Sequence, residues 1–462
     1  MTTRSAPHPL PVPLPRQWGT RAVDVVALLV GNGAFIVLMW VRHGGLDQLG
    51  TLAGALTAAG QLTALLGTYL ALIQLVLMGR SPWLDEAFGM DRLAWAHRWL
   101  GFATIWLIAA HGVLTTFGYA LGDGAGVLDE AVTLLTTFPY VLWATAGFVL
   151  FVLVGVTSVR AARRRLSYET WYGIHLYAYL AIALAFLHQL FVGADFMHDQ
   201  LAATYWIGLY VATAVLVVTF RVGQPALTSI RHRLRVSAVV EEAPGVVSVY
   251  LAGRDLDRLA VRSGQFFVLR FLTRDGWWRA HPYSISSAPN GHWLRFTIKD
   301  LGDDSGRVRN LAVGTRVFIE GPYGVLTGAR RTRRGVTLIA GGIGITPLRA
   351  LLESLPAQPG DLTLIYRAAH PRHLVFRDEL EALASLRGAR VHYLVGSRHA
   401  RGQGSNLPEP VLDPPTISRL VPAIADQDVY LCGPTGMMRT VEAALADLGV
   451  PRGQVHSERF AY

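Results

Sequence analysis

The sequence predicts a membrane bundle of six α-helices, followed by a soluble antiparallel β-barrel and then a doubly wound α/β domain. Three observations lead there. Of the 462 residues, 52% are hydrophobic and 16% charged, too many for one ordinary domain and too apolar for a wholly soluble chain. The apolar residues concentrate in the first half, in runs long enough to cross a bilayer. Beyond about residue 230, turn-rich alternating segments come first and strand–helix alternation follows. A net charge of +10 can mark a nucleic-acid binder, but Arg160, Arg163, Arg164, Arg165, Arg231, Arg233 and Arg235 cluster beside apolar runs. They read as topology signals, and no nucleic-acid partner is expected. Cys432 is the only cysteine. That excludes a disulfide within one chain, a self-contained cysteine-ligated iron–sulfur cluster and a CxxCH haem attachment.

Residues 1–20 are Pro-rich, with no apolar core or small-residue cleavage site, and read as a cytoplasmic tail rather than a signal peptide. The membrane domain is expected over 21–223. Its spans fall near 22–42, 52–78, 93–119, 139–159, 168–192 and 202–222, each able to cross about 30 Å of hydrocarbon. Arg4, Arg16 and Arg21 precede the first span, Arg80 and Arg92 separate the second and third, and the 160–165 cluster separates the fourth and fifth. All lie on one side, with the segment after span six. The opposite loops carry Asp123, Asp129, Glu130, Asp195 and Asp199 and almost no Lys or Arg. The basic side is therefore read as cytoplasmic. Both termini are then inside, and the chain is multi-pass in the plasma (inner) membrane, against membrane lipid.

Span three carries His97 and His111. Fourteen residues of ideal helix set them about 21 Å apart and within about 40° of one face. Imidazoles are costly in hydrocarbon without a partner, so the pair is a functional hypothesis. Span five carries His175 and His188, about 19.5 Å apart, and runs in the same direction. His97 then faces His175 toward the cytoplasm, and His111 faces His188 toward the outside. Two levels of paired imidazoles suit two stacked b-type haems, each iron bound axially from two helices. Two alternatives stay open on the residues alone. The histidines can bond hydroxyls or carbonyls within the bundle, or hold zinc, which wants four converging ligands where each level offers two. Thirteen residues carry an ideal helix about 140° from its starting face, so span five is distorted or the two haems are rotated differently. His43 and His198 lie near the outer face without an assigned role.

In the soluble half, RVSAVVEEA, VVSVYLAG, GQFFVLRF, LRFTIKD and TRVFIEGPYG read as strands of a small barrel, expected over 230–330. Within it, HPYSISSAP (281–289) offers the Tyr283 ring, while Ser284 and Ser286, two apart on an extended strand, point to one side. An α/β domain is expected over 335–462. The apolar strand VTLIA, from Val336, runs into GGIGITP and the helical LRALLESL. Gly341, Gly342 and Gly344 let backbone approach a pyrophosphate, Thr346 can cap the helix, and Pro347 suits its first turn. The helix N-terminus then faces the phosphate charge. LTLIYR, RVHYLVGS and DVYLCGP alternate with EALASL and MMRTVEAALADL, a doubly wound sheet whose ligands bind at strand carboxyl ends. Arg367, Ser397, Arg398 and Cys432 lie at those ends. An Arg with a neighbouring Ser suits the 2′-phosphate that distinguishes NADPH from NADH.

With these residues in place, the soluble half resembles the ferredoxin-NADP reductase family. The chain from about residue 22 to Tyr462 resembles the NADPH oxidase and ferric reductase superfamily of transmembrane electron carriers. The histidine spacings of fourteen and thirteen match its bis-histidine haem pattern, HPYSISS its flavin motif, IKDLGDDS (298–305) its second flavin stretch, and GGIGITP and CGPTGMM its nicotinamide-nucleotide loops. The resemblance implies FAD contacts at His281, Pro282, Tyr283, Ser284, Ser286, Ile298, Lys299, Gly302 and Ser305. It implies NADPH contacts at Gly341, Gly342, Ile343, Gly344, Ile345, Thr346, Pro347, Arg367, Ser397, Arg398, Cys432, Gly433 and Pro434. His97, His111, His175 and His188 become the axial ligands of two haems. Cys432 and Phe460 are the implied catalytic residues, Phe460 rather than Tyr462 being the ring that covers the flavin.

The activity so implied is that of an enzyme passing electrons from cytoplasmic NADPH through FAD and two haems to an extracytoplasmic acceptor. O2, giving superoxide, is the first candidate. A ferric chelate and a partner protein are the others. The chain departs from the family in having no calcium-binding loop segment, long regulatory extension or ferredoxin cysteine set, so no carrier of partner or calcium control is visible. Its outer loops are acidic where the family's oxidases tend to place a basic group, which leaves the acceptor open. Homo-oligomer formation is open as well.

Overall fold

The computed structural model describes residues 22–163, 165–193, 199–396 and 412–459; the tail 1–20 lies outside them. The chain divides into two compact units. One holds the long apolar helices. The other holds the barrel and the α/β domain, together with the short segments Gly79–Asp85 and Gly89–Ala94.

The helices of the first half are α1 (Ala22–Arg42), α2 (Leu52–Leu77), α3 (Pro82–Phe88), α4 (Met90–Asp123), α5 (Val127–Thr137), α6 (Val141–Ser158), α7 (Tyr168–Val192), α8 (Gln200–Val218) and α9 (Gln224–His232). Six helical stretches are long and apolar enough to cross a membrane, counting α8 through α9 as one. The sixth differs from expectation. A π-helical turn, Thr219–Gly223, joins α8 to α9, so the helix runs on to His232 through the region read as a domain boundary. Helix α5, in the connection between α4 and α6, was not expected either; its Glu130 is buried. Local chemistry sets the starts: Thr51 accepts from Gly54 N ahead of α2, and Ser167 from Thr170 N ahead of α7.

Small residues let these helices approach. A Cβ at Gly67 of α2 would sit 3.1 Å from Ile108 and 3.3 Å from Leu107 of α4, and one at Gly60 would sit 2.6 Å from Thr115 Oγ1. Side-chain hydrogen bonds hold the approach. Gln74 donates to Thr104 Oγ1 (2.7 Å), Gln189 to Thr68 Oγ1 (3.2 Å), and Tyr210 to Gln189 Oε1 (3.0 Å).

In the second unit, one antiparallel sheet runs β1 (Arg235–Ala243), β2 (Val246–Ala252), β5 (Trp293–Lys299) and another runs β4 (His281–Ser284), β3 (Phe266–Phe271), β6 (Val317–Tyr323). Bridges from Ile285 to Phe296 and from Arg235 to Arg316 join the two sheets at both edges, closing a six-stranded barrel. Phe267, Leu269, Ile285, Phe296 and Ile319 fill it. The α/β domain is a five-stranded parallel sheet in the order β11 (Val455–Glu458), β10 (Asp428–Cys432), β7 (Val336–Gly341), β8 (Leu362–Ala368), β9 (Arg390–Val395). Its first strand, β7, lies between β8 and β10, so the strand order reverses at β7–β10, the position where such sheets bind ligands.

The segments 79–85 and 89–94 pack into this unit. Arg80 bonds to the buried Glu320 of β6, which also pairs with Arg270 at 2.6 Å. Asp85 Oδ2 accepts from Gly324 N (2.8 Å), and Met90 packs on Phe266, Val268 and Tyr323.

Candidate functional site

Four imidazoles project from α4 and α7 at two levels. The rings of His97 and His175 have centroids 5.8 Å apart with planes at 63°, and those of His111 and His188 lie 6.0 Å apart at 40°. The ring separation tests whether haem iron fits. A metal–imidazole bond of about 2 Å, with about 1 Å more from nitrogen to ring centre, on each of two sides requires about 6 Å. Both levels meet it. Zinc would need further ligands, and among the described residues no group of three or more His, Cys, Asp or Glu converges. His111 Nδ1 lies 3.0 Å from the Gly60 carbonyl and 3.2 Å from Thr115 Oγ1. His175 Nδ1 lies 3.4 Å from Ser158 Oγ.

At the strand-order reversal, the loops after β7 and β10 interlock. A Cβ at Gly433 would lie 3.1 Å from the Gly341 backbone, and one at Gly341 would lie 3.0 Å from Pro434 Cδ. Those glycines are required by the neighbouring loop. Gly342 is different: its φ is +54° and nothing lies within 4 Å of where a Cβ would stand, so it offers open backbone to a phosphate. Thr346 does not cap the helix as its type suggested. A 3-10 turn, Gly342–Gly344, feeds into helix α11 (Ile345–Ser354), and the Thr346 hydroxyl donates back to Ile343 O (3.0 Å). Ile345, Thr346 and Pro347 are buried, so their side chains are packed into the domain. Arg367 pairs with Gly341 across the β7–β8 edge. Ser397, Arg398 and Phe460 lie outside the described residues.

On the flavin motif, the serines part company. Ser284 is 5% exposed and its hydroxyl has no partner among the described residues, a buried polar group positioned for a ligand. Ser286 is fully buried and committed. Its Oγ meets Arg295 Nε (3.1 Å) and Thr297 Oγ1 (2.7 Å). The two hydroxyls therefore differ in surroundings: Ser286 is bonded within the barrel, next to the bridge from Ile285 to Phe296 of β5, and Ser284 is not. Arg295 continues to Glu379 of helix α12 (Arg377–Arg387) at 3.1 Å, and Arg349 of α11 joins Glu353 to Glu379. This network ties barrel to nucleotide sheet. Burial pushes the Tyr283 phenol up. Ile298 is in the barrel core, Lys299 is exposed, and Ser305 Oγ accepts from Leu301 N (2.7 Å) to shape the turn at Gly302.

Sequence reasoning missed two acids. Cys432 and Glu458 are register partners at the carboxyl ends of β10 and β11. A Cβ at Gly324 would lie 2.7 Å from Glu458 Oε1, and Gly324 N donates to Asp85. Two carboxyl groups thus converge on one glycine beside Cys432. Burial, with Asp85 and Asp91 adding, holds the Glu458 carboxyl well above the usual range. Burial, with Glu458 adding, does the same to the Cys432 thiol. In both cases burial favours the neutral form.

Comparison with known proteins agrees with this layout. Residues 63–186 match the family model of the ferric reductase like transmembrane component, 246–327 that of an FAD-binding domain, and 338–443 that of the oxidoreductase NAD-binding domain. The chain is 33% identical over 240 residues to the ferredoxin reductase component of 3-ketosteroid-9-alpha-monooxygenase from Rhodococcus rhodochrous, covering 49% of this chain and 64% of that protein. It is 32% identical over 235 residues to a flavohemoprotein of Pseudomonas aeruginosa, covering 50% and 58%. Among solved structures, the FAD/NAD-binding domain of nitric oxide dioxygenase from Vibrio cholerae O1 biovar El Tor aligns with 26% identity and a TM-score of 0.41, over 50% of this chain and 98% of that one. The chain thus spans less than two thirds of the length of those two curated relatives. It is an oxidoreductase in which a ferric reductase-like transmembrane domain is fused to a ferredoxin-NADP reductase-like FAD- and NAD-binding module.

Proposed function

We propose that the chain passes electrons from cytoplasmic NADPH, by way of FAD and two stacked b-type haems, to O2 on the opposite side of the plasma membrane, giving superoxide. The observation that carries this reading is the two facing imidazole pairs, at 5.8 and 6.0 Å, on two continuous membrane helices. FAD and haem, when bound, would supply the conversion of a hydride's electron pair into single-electron transfers. The chain supplies position. His97 and His175 hold the inner haem, and His111 and His188 the outer one. Ser284 meets the flavin, Gly342 admits the pyrophosphate, Ser397 and Arg398 take the 2′-phosphate, and Phe460 covers the flavin ring. The balance is NADPH and two O2 giving NADP+, one proton and two superoxide.

The acidic outer surface is smaller than the sequence suggested, which supports O2 over a cationic metal species. Glu130 is buried, and Asp199 pairs with His43 (2.8 Å) and Arg42 (3.9 Å). Asp123 and Asp129 are exposed, and they favour the second reading, a ferric-chelate reductase with the same wiring. The test compares NADPH oxidation by purified, cofactor-loaded protein in O2, with a ferric chelate under argon, and with neither. Superoxide formed at two per NADPH is expected. NADPH oxidation without superoxide at any oxygen tension overturns the oxidase reading; a rate restored only by ferric chelate selects the reductase, and neither selects a subunit serving an extracytoplasmic protein.

A further inference from the structure

The four haem-facing histidines are not held alike. The Gly60 carbonyl can only accept, so the 3.0 Å contact requires the proton on His111 Nδ1 and leaves Nε2 to face His188. Thr115 Oγ1, 3.2 Å from the same nitrogen, flanks it. The partner of His175 is weaker: Ser158 Oγ is 3.4 Å away, already donates to Val154 O (2.7 Å) and takes the Trp171 indole (3.2 Å). His188 Nδ1 is buried with no partner among the described residues.

The carbonyl reaches His111 because α2 has no side chain at this point. A Cβ on Gly60 would stand 2.6 Å from Thr115 Oγ1 and 3.1 Å from Thr115 N. The Gly60 carbonyl also takes the Thr63 hydroxyl at 2.9 Å, a donor that competes with the imidazole for its lone pairs.

Resting on the bis-histidine reading above, we infer that Gly60 is a positioning residue for the outer haem: its carbonyl fixes the His111 tautomer and lowers that haem's reduction potential. A hydrogen bond from the far nitrogen makes the ligating one a stronger base. A stronger base favours ferric over ferrous iron, and axial ligand strength is one of the protein's levers on haem potential.

The experiment is an anaerobic spectroelectrochemical titration of the full chain, haem-loaded in detergent, with low-temperature EPR of the ferric signals. Gly60→Ala drives α2 from Thr115 and lengthens the contact. One of two midpoints is expected to rise by about a tenfold change in ferric preference, which is about 59 mV for one electron, with a change in one EPR signal. Thr63→Val, nearly isosteric, frees the carbonyl for His111 and should move the same midpoint down. Gly67→Ala, which crowds Ile108 and Leu107 at 3.1 and 3.3 Å but touches no histidine partner, should move neither. If both haems are present and neither Gly60→Ala nor Thr63→Val moves a midpoint, the inference is overturned. An equal shift from Gly67→Ala also overturns it, since helix spacing would then be the cause. Should Gly60→Ala fail to accumulate, Thr63→Val alone decides. A native chain without bis-histidine haem removes both this inference and the reading beneath it.

Discussion

Glu458 is an acid whose neutral form the fold favours, and the sign of its effect on stability follows. In the unfolded chain it ionises in the ordinary carboxylate range; in the fold, burial beside Asp85, Asp91 and the Cys432 thiol holds its pKa well above that. The folded state therefore binds more protons as pH rises above the ordinary carboxylate range. Its contribution is full below the unfolded pKa and is lost as pH rises toward the folded one, with a slope of at most about 1.4 kcal/mol per pH unit. Glu458→Gln should flatten this decline. Thermal unfolding of both proteins in detergent from pH 6 to 9 checks it, and parallel curves would count against a neutral Glu458. The pair was illegible in the sequence because Asp85 and Glu458 stand at opposite ends of the chain and meet only through the loop at Gly324. Gly60 was illegible for another reason. A backbone carbonyl acting on an imidazole leaves no residue type to read.

At the scale of helices and strands, most of the architecture was legible. Long apolar runs bounded by arginines, and alternating runs bounded by turns, are signals local to each element. What depended on neighbours was not. The membrane domain was read as ending at residue 223, with Arg231–Arg235 as topology signals beyond it, yet the helix continues through a π-turn into α9, which packs on β6 through Ser229 and Ile319 (3.0 Å). The rotation expected of span five is absorbed without a break. Helix α7 is continuous from Tyr168 to Val192, and the two ring pairs meet at different plane angles, 63° and 40°. The two levels should therefore fail separately. Replacing His188 by Ala is expected to remove one haem's share of the reduced-minus-oxidised spectrum, while NADPH still bleaches the flavin. A spectrum that keeps both haems would end the assignment of His188.

Across the whole chain, the second unit is assembled from three stretches of sequence. It begins in the connection between α2 and α4, where Arg80 reaches Glu320 and Asp85 reaches Gly324. Glu320 is 3% exposed, and removing one of its two guanidinium partners should cost about 2 kcal/mol, or roughly 4–8 °C in the unfolding of this unit. Arg80→Ala tests that, with flavin fluorescence reporting the transition. Arg231→Ala, on an exposed helix end, is the comparison expected to shift it little.

That connection bears on how such a protein can be rebuilt. A donor module cut at the end of α9 and transplanted behind another membrane domain would arrive without the segment that completes its wall at Gly324. The exchangeable cassette is discontinuous: Gly79–Asp85 and Gly89–Ala94 have to travel with the C-terminal half, and because Met90–Ala94 are the first turn of α4, any such graft also replaces the start of the helix that bears His97.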